Sequence, residues 1–252
     1  MPRLHVKFEE NWTDKRWTAA VRKEFDEVCN FDSFKSLGLA SQTPVPHGFT
    51  KIKCHLVFDV KEDGRLKARF VAGGHMTGGN PDTYYSSVVS LRSVRAVVFL
   101  AELSGLQLTA GDVGNAYLMA TTDEKVVFEG GPELEHHGHN GHLLQIVRCQ
   151  CGLKTSGARW HEFFAATMTR MGYFASKADP DIWMKDCGDH YSYVAVYVDD
   201  CLYAGMDGKA FFDELKSLGF KLKGCDEPDF FLGGNFGRAE GTVPALLTMW
   251  CR

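Results

Sequence analysis

The stretch Tyr193-Val194-Ala195-Val196-Tyr197-Val198-Asp199-Asp200-Cys201-Leu202-Tyr203-Ala204-Gly205 decides how this chain is read. Two apolar runs flank a pair of adjacent aspartates, the pattern of two buried strands joined by a tight hairpin. Carboxylates side by side in such a place repel each other and lose hydration, so they need a counter-charge, and a divalent cation supplies it most economically. Asp199 and Asp200 are therefore candidate metal ligands. The plain alternative is a solvated turn, because Asp favours turns.

Upstream, Leu106-Gln107-Leu108-Thr109-Ala110-Gly111-Asp112-Val113 is a second strand that delivers a carboxylate at its end, and Gly114-Asn115-Ala116-Tyr117-Leu118 follows it. Between the two acidic places the spacing predicts a helix from about Gly157 or Ala158. It carries Trp160, Phe163, Phe164, Thr167, Met168 and Met171 and closes at Gly172. After the hairpin, a helix from Lys209 to Leu218 packs Phe211, Phe212 and Leu215 and ends at Gly219, before the short apolar segment Phe230-Phe231-Leu232-Gly233. The order strand, helix, hairpin, helix, strand fits an α+β fold whose sheet is a split βαβ, ferredoxin-like and antiparallel, backed by helices. That topology brings Asp112 beside Asp199 and Asp200. Three carboxylates on one sheet surface suit two octahedral magnesium ions, which clamp the attacking and leaving oxygens of an in-line phosphoryl transfer. Polymerases and nucleases both use that chemistry.

Nearer the N-terminus, Asp14 is placed to cap a helix with the apolar stripe Trp17, Val21, Phe25, Val28. Two β-type segments, Lys53-Cys54-His55-Leu56-Val57-Phe58-Asp59-Val60 and Leu66-Lys67-Ala68-Arg69-Phe70-Val71-Ala72, flank Asp63-Gly64 and read as a hairpin. Leu66, Ala68 and Phe70 share one face of the second strand, so Lys67 and Arg69 project from the other. Two cations there suit an anionic ligand or a solvated face. A glycine-rich loop, Gly73-Gly74-His75-Met76-Thr77-Gly78-Gly79-Asn80-Pro81, lacks the Lys-Ser/Thr ending of a P-loop. Ser90 or Ser93 caps a helix bearing Val94, Val97, Val98 and Ala101 and stopped by Gly105. Residues 130–142 read as a polar loop. Its His136, His137, His139 and His142, with Cys149 and Cys151 downstream, match no regular zinc spacing.

The 252 residues are 44% hydrophobic and 24% charged, which is globular usage. A net charge of −4 does not by itself announce a nucleic-acid binder, although a cleft can be basic on an acidic chain. No run approaches the roughly 18 apolar residues of a membrane span and the start has no signal-peptide core, so the expected setting is intracellular, cytoplasmic or nuclear, with no membrane partner. Eight scattered cysteines fit reduced thiols.

Four motifs in order resemble the reverse transcriptases of copia-type retrotransposons: Lys67-Ala68-Arg69-Phe70-Val71-Ala72-Gly73, Asp112-Val113-Gly114-Asn115-Ala116-Tyr117-Leu118, Gly152-Leu153-Lys154-Thr155-Ser156-Gly157-Ala158-Arg159-Trp160, and Tyr197-Val198-Asp199-Asp200. The resemblance covers residues 17–234. It implies a polymerase fingers and palm architecture and a nucleotidyltransferase, an RNA-directed DNA polymerase that extends a primer on an RNA or DNA template with dNTP and two Mg ions. Asp112 and Asp199 would be the main metal ligands, Asp200 a weaker one. Arg69 and Lys67 would hold the triphosphate, and Tyr117 would lie under the incoming sugar, excluding a 2′-hydroxyl; its alternative is a core aromatic. Lys154 and Arg159 would face template or solvent. Phe231-Leu232-Gly233 resembles the segment that supports the primer end. Fingers are expected mainly over 14–89 and palm over 90–128 and 150–236, between an N-terminal tail 1–13 and an atypical tail 237–252, with the thumb missing or truncated. Ribonuclease H and integrase partners belong to the rest of the implied polyprotein. Cys151, Thr155 and Gly157 depart from the family's usual Tyr, Gln and Pro. An inactive remnant that only binds nucleic acid is the alternative reading, and a two-metal nuclease a third.

Overall fold

The structure, a computed structural model, describes residues 15–61, 64–78, 84, 86–238 and 247–251. The N-terminal tail 1–13, the expected cap Asp14, the turn residue Asp63, the loop residues Gly79, Asn80 and Pro81, and tail residues 239–246 and 252 lie outside the described residues. Packing divides the chain into two units: unit 1 is Met1–Tyr85 with Tyr117–Trp160, and unit 2 is Ser86–Ala116 with His161–Arg252. Residues 117–128 and 150–160, expected with the palm, thus group with the N-terminal part of the chain.

From the N-terminus, unit 1 supplies α1 (Lys15–Asn30), β1 (Phe34–Leu39), β2 (Thr50–Lys51), β3 (Cys54–Val60) and β4 (Leu66–Ala72). The chain then enters unit 2 with α2 (Leu91–Leu103) and β5 (Gln107–Val113), and returns to unit 1 through the one-turn α3 (Ala116–Met119), β6 (Val126–Glu129) and β7 (His142–Ile146). Helix α4 (Ser156–Arg170) starts in unit 1 and continues in unit 2. There follow β8 (Phe174–Ala175), β9 (Ile182–Asp186), β10 (Tyr191–Tyr197), β11 (Asp200–Gly205), α5 (Gly208–Ser217), β12 (Leu222–Asp226), β13 (Phe230–Phe231), β14 (Gly234–Arg238) and β15 (Leu247–Cys251).

Unit 1 is built around the α1 stripe. Trp17, Val21 and Phe25 pack on Leu56 and Phe58 of β3 and on Ala68 and Phe70 of β4, and with Phe128, Leu144 and Ile146 they form one buried cluster. The β3–β4 hairpin is in register from Cys54↔Ala72 to Val60↔Leu66, and Gly64 at φ +79° makes its turn. A four-stranded sheet, order β1-β7-β6-β2, was not expected from the sequence. Residues 130–142 are correspondingly more ordered than a loop: Pro132–His137 is a 3-10 helix closed by Gly138 in the left-handed region, and His142 opens β7.

Unit 2 carries a six-stranded sheet, order β12-β5-β11-β10-β9-β8, with antiparallel pairing throughout. Its central order is the split βαβ arrangement expected from the sequence. Alternation along the strands sends Leu108, Leu202, Ala204, Ala195 and Ile182 to one face, where Val94, Val97, Val98 and Ala101 of α2 meet them. On the opposite face, α5 sets Phe212 over Gly111: a Cβ there would stand 2.6 Å from the Phe212 ring. Ser90 caps α2 by accepting the Ser93 N–H, and Gly105 at φ +65° follows the helix, both as its sequence predicts. The tail is not wholly outside this fold, for β15 pairs with β14 from Gly234↔Cys251 to Arg238↔Leu247. Among the described residues no helix is long and apolar enough to cross a membrane.

Candidate active site

The acids are brought together by strand register. Asp200, the first residue of β11, pairs with Asp112 near the end of β5. Tyr197 pairs with Asp200, so Val198-Asp199 is a two-residue hairpin turn. Val113 donates its N–H to the Asp199 carbonyl at 2.7 Å, tying the turn to the residue that follows Asp112. Directly opposed residues of an antiparallel ladder point to the same face. Tyr197, Asp200 and Asp112 therefore form a row across β10, β11 and β5, and β12 completes it with Lys223, the register partner of Asp112.

Two features of this row are chemically telling. Val198 sits at φ +56°, where a β-branched side chain is strained and where a hairpin of this kind ordinarily has glycine. Strain of this sort persists where surrounding structure enforces it. Electrostatics give the second feature: Asp200 is pushed up to about 6, first by burial, then by the negative charges of Asp199 and Asp112. The fully buried Cys201 thiol behind them is also pushed up, by burial and then by Asp200, Asp199 and Asp112 in turn. Lys223 was missed in the sequence reading because a lysine in Phe220-Lys221-Leu222-Lys223 looks like any solvated cation. Its ammonium reaches within 3.5 Å of where a Cβ on Gly114 would stand, beside the end of β5.

The donor set fits magnesium. Three carboxylates are hard oxygen ligands, and the burial and mutual repulsion that raise Asp200 are what a divalent cation offsets. Among the described residues no three His, Cys, Asp or Glu side chains already form a metal cage.

Lys67, Arg69 and Tyr117 belong to unit 1. Arg69 is exposed on β4, and Lys67 lies on the same strand face. Glu24 of α1 accepts the Phe70 N–H at 2.8 Å, satisfying a donor in the middle of that strand; burial raises its carboxyl, while this bond, Lys67 and Arg69 pull it down. Tyr117 is half-buried in α3.

The segment Gly152–Trp160 is anchored inside unit 1. Glu124, also overlooked in the sequence, accepts the Thr155 N–H at 2.9 Å and the Thr155 hydroxyl at 2.7 Å. Lys154 donates to the Thr77 carbonyl and lies over the Tyr84 ring, 5.4 Å from its centre, while Arg159 pairs with Asp123. Both cations thus have protein partners. Of the histidines, His137 meets Asp26 at 3.1 Å and His142 meets the Ser36 hydroxyl at 2.8 Å, while the His139 and His142 rings lie 6.3 Å apart.

Comparison with known proteins gives this geometry a family. A Pol polyprotein from transposon TNT 1-94 of Nicotiana tabacum is 29% identical over 201 residues, 77% of this chain and 14% of that protein. Pol polyproteins from transposons RE1 and RE2 of Arabidopsis thaliana are each 26% identical over 229 residues, 87% of this chain and 15% of theirs. The chain therefore spans about one seventh of the length of these relatives. A foamy viral protease-reverse transcriptase solved with double-stranded DNA superposes with a TM-score of 0.48 and 15% identity, over 88% of this chain and 34% of that one. The profile of the family described as reverse transcriptase (RNA-dependent DNA polymerase) matches residues 42–248, running into the tail that had seemed to leave the family pattern. With most of its length matched, the chain belongs to the reverse transcriptase family, of the retrotransposon type that its motifs had suggested.

Proposed function

We propose that this chain is the RNA-directed DNA polymerase portion of a retrotransposon polyprotein, transferring a nucleotide from dNTP to a primer 3′-hydroxyl. The observation that carries the reading is the pairing of Asp112 with Asp200, with Asp199 held to Val113 beside them. Unit 2 is read as the palm and unit 1 as the fingers. Asp112 and Asp199 hold the divalent cations. Asp200, with its carboxyl near 6, is the weaker ligand of the set. When bound, two magnesium ions lower the pKa of the primer hydroxyl and neutralise charge on the departing pyrophosphate. Lys223 offsets part of the negative charge at the end of β5. Arg69 grips the triphosphate oxygens in a fork, with Lys67 beside it as a point charge. Tyr117 lies under the sugar and excludes a 2′-hydroxyl, and Phe231-Leu232-Gly233 supports the primer end. Template and primer are the macromolecular partners, and ribonuclease H and integrase segments accompany this portion in the longer chain.

Primer extension on an RNA template under magnesium tests the reading. The unaltered chain extends the primer, and Asp112→Asn or Asp199→Asn each lowers the rate by about a hundredfold or more. Extension unchanged in either variant overturns the assigned mechanism. Template binding without extension by the unaltered chain overturns the polymerase reading in favour of a chain that only binds nucleic acid.

A further inference from the structure

Behind the acidic hairpin, unit 2 buries an ion pair that the catalytic reading does not use. Asp181 is 2% exposed, and its Oδ1 lies 2.9 Å from Nε2 of His161 on α4. Its Oδ2 is buried without a hydrogen-bond partner. A carboxylate sealed in this way is costly unless a cation balances it, and the imidazolium is the group at hydrogen-bond distance. The charged groups that bear on the imidazole are Asp181, from the segment entering β9, and Glu162, from its own helix.

The backbone of the same residue holds the strand that leads to the site. Asp181 accepts the Val196 N–H through its carbonyl at 3.0 Å, and the Val196 carbonyl accepts the Val89 N–H at 3.2 Å. Val196 immediately precedes Tyr197-Val198-Asp199-Asp200. The Asp181 backbone is fixed in turn by its N–H to Asp179 Oδ1 at 3.1 Å, and Asp179 Oδ2 accepts the Ser90 N–H at the start of α2. Asp181, with Asp179 beside it, thus ties together α4, β9, β10 and the entry to α2.

We propose that His161 and Asp181 form a proton-operated clasp on β10, closed while the imidazole carries its charge and loosened when it does not, so that His161 is a positioning residue for the hairpin bearing Asp199 and Asp200. The hydrogen bond to Asp181 raises the His161 pKa above its ordinary value of 6.5, against the opposing effect of burial. A raised histidine stabilises the fold fully below about 6.5 and loses that contribution as pH rises through the folded value. Loss of the proton leaves a buried carboxylate facing a neutral ring, and the Val196 amide, bonded to the carbonyl of the same residue, is the backbone donor that registers the change.

The test needs neither template nor nucleotide, so its failure is separate from any failure of the polymerase reading. In the full chain, His161 is identified among the ten histidines by the resonance lost in His161→Gln, and its titration is followed by NMR in wild type and in Asp181→Asn. Hydrogen-exchange protection of the Val196 amide is measured at pH 6 and pH 8.5. The expected result is a wild-type midpoint above 6.5 that drops in Asp181→Asn, with Val196 protection falling about tenfold between the two pH values in wild type and holding steady in His161→Gln. A wild-type midpoint at or below 6.5 overturns the proposal. So does a Val196 protection that falls equally in His161→Gln, which keeps a donor but cannot titrate.

Discussion

At the scale of single residues the site is a balance between charge and strain. Asp200 has its carboxyl raised to about 6 by burial and by Asp199 and Asp112. With no divalent cation added, its contribution to stability is therefore complete below about 4, the ordinary value, and is lost as pH rises through 6. Thermal melts in chelator should show the wild type losing stability over that window. Asp200→Asn should flatten the profile and be the more stable chain at pH 7, by about 1 kcal/mol after allowing for solvent screening. A less stable Asp200→Asn at pH 7 would contradict the sign. Val198 supplies a second residue-scale prediction. Its φ of +56° is suited to glycine, so Val198→Gly should leave the melting temperature unchanged or higher, the strain of about 1–3 kcal/mol offsetting glycine's extra chain entropy. A clear drop would mean that the Val198 side chain contributes more packing than its backbone costs.

At the scale of elements, the strands and helices around the acids were legible because their patterns are long and regular. Tyr193 to Tyr197 is a continuous apolar run with Val194, Ala195 and Val196 all buried, Gln107 to Val113 is a β-type segment ending in a carboxylate, and Ser90, Gly105, Gly172 and Gly219 punctuate the helices where capping chemistry puts them. The four-stranded sheet of unit 1 was not legible. Strand β1 contains Gly38 at φ +116° and a register shift between Ser36 and Leu39, which breaks the alternation, and β2 has only two residues paired with β6. The glycine and histidine composition around residues 130–142 hid the start of β7. Of the site, the carboxylates could be read from their places at strand ends, whereas Lys223 could not: its meaning comes from the register opposite Asp112. Close approaches mark the element contacts that tolerate least change. Gly111→Ala would drive a Cβ into the buried Phe212 ring, so the variant should lose about 1–3 kcal/mol in denaturant melts, and a neutral result would show that α5 can slide away from β5.

At the scale of the whole molecule, the chain carries a net charge of −4, so binding to a polyanion has to rest on local cations. Affinity for a primer–template should fall steeply with salt. Removing both Lys67 and Arg69 should lower the log–log salt slope by about 1 to 2 if they meet phosphates, and leave it unchanged if they are a solvated face. The family assignment fixes what kind of enzyme the chain is related to, but the chemistry rests on whether far-separated acids act as one ligand set. A manganese titration followed by the free-ion EPR signal measures this directly, manganese standing in for magnesium as a hard octahedral cation. The account predicts binding by the unaltered chain at pH 7.5 that weakens about tenfold or more in each of Asp112→Asn and Asp199→Asn. Equal affinity in the unaltered chain and both variants would contradict it.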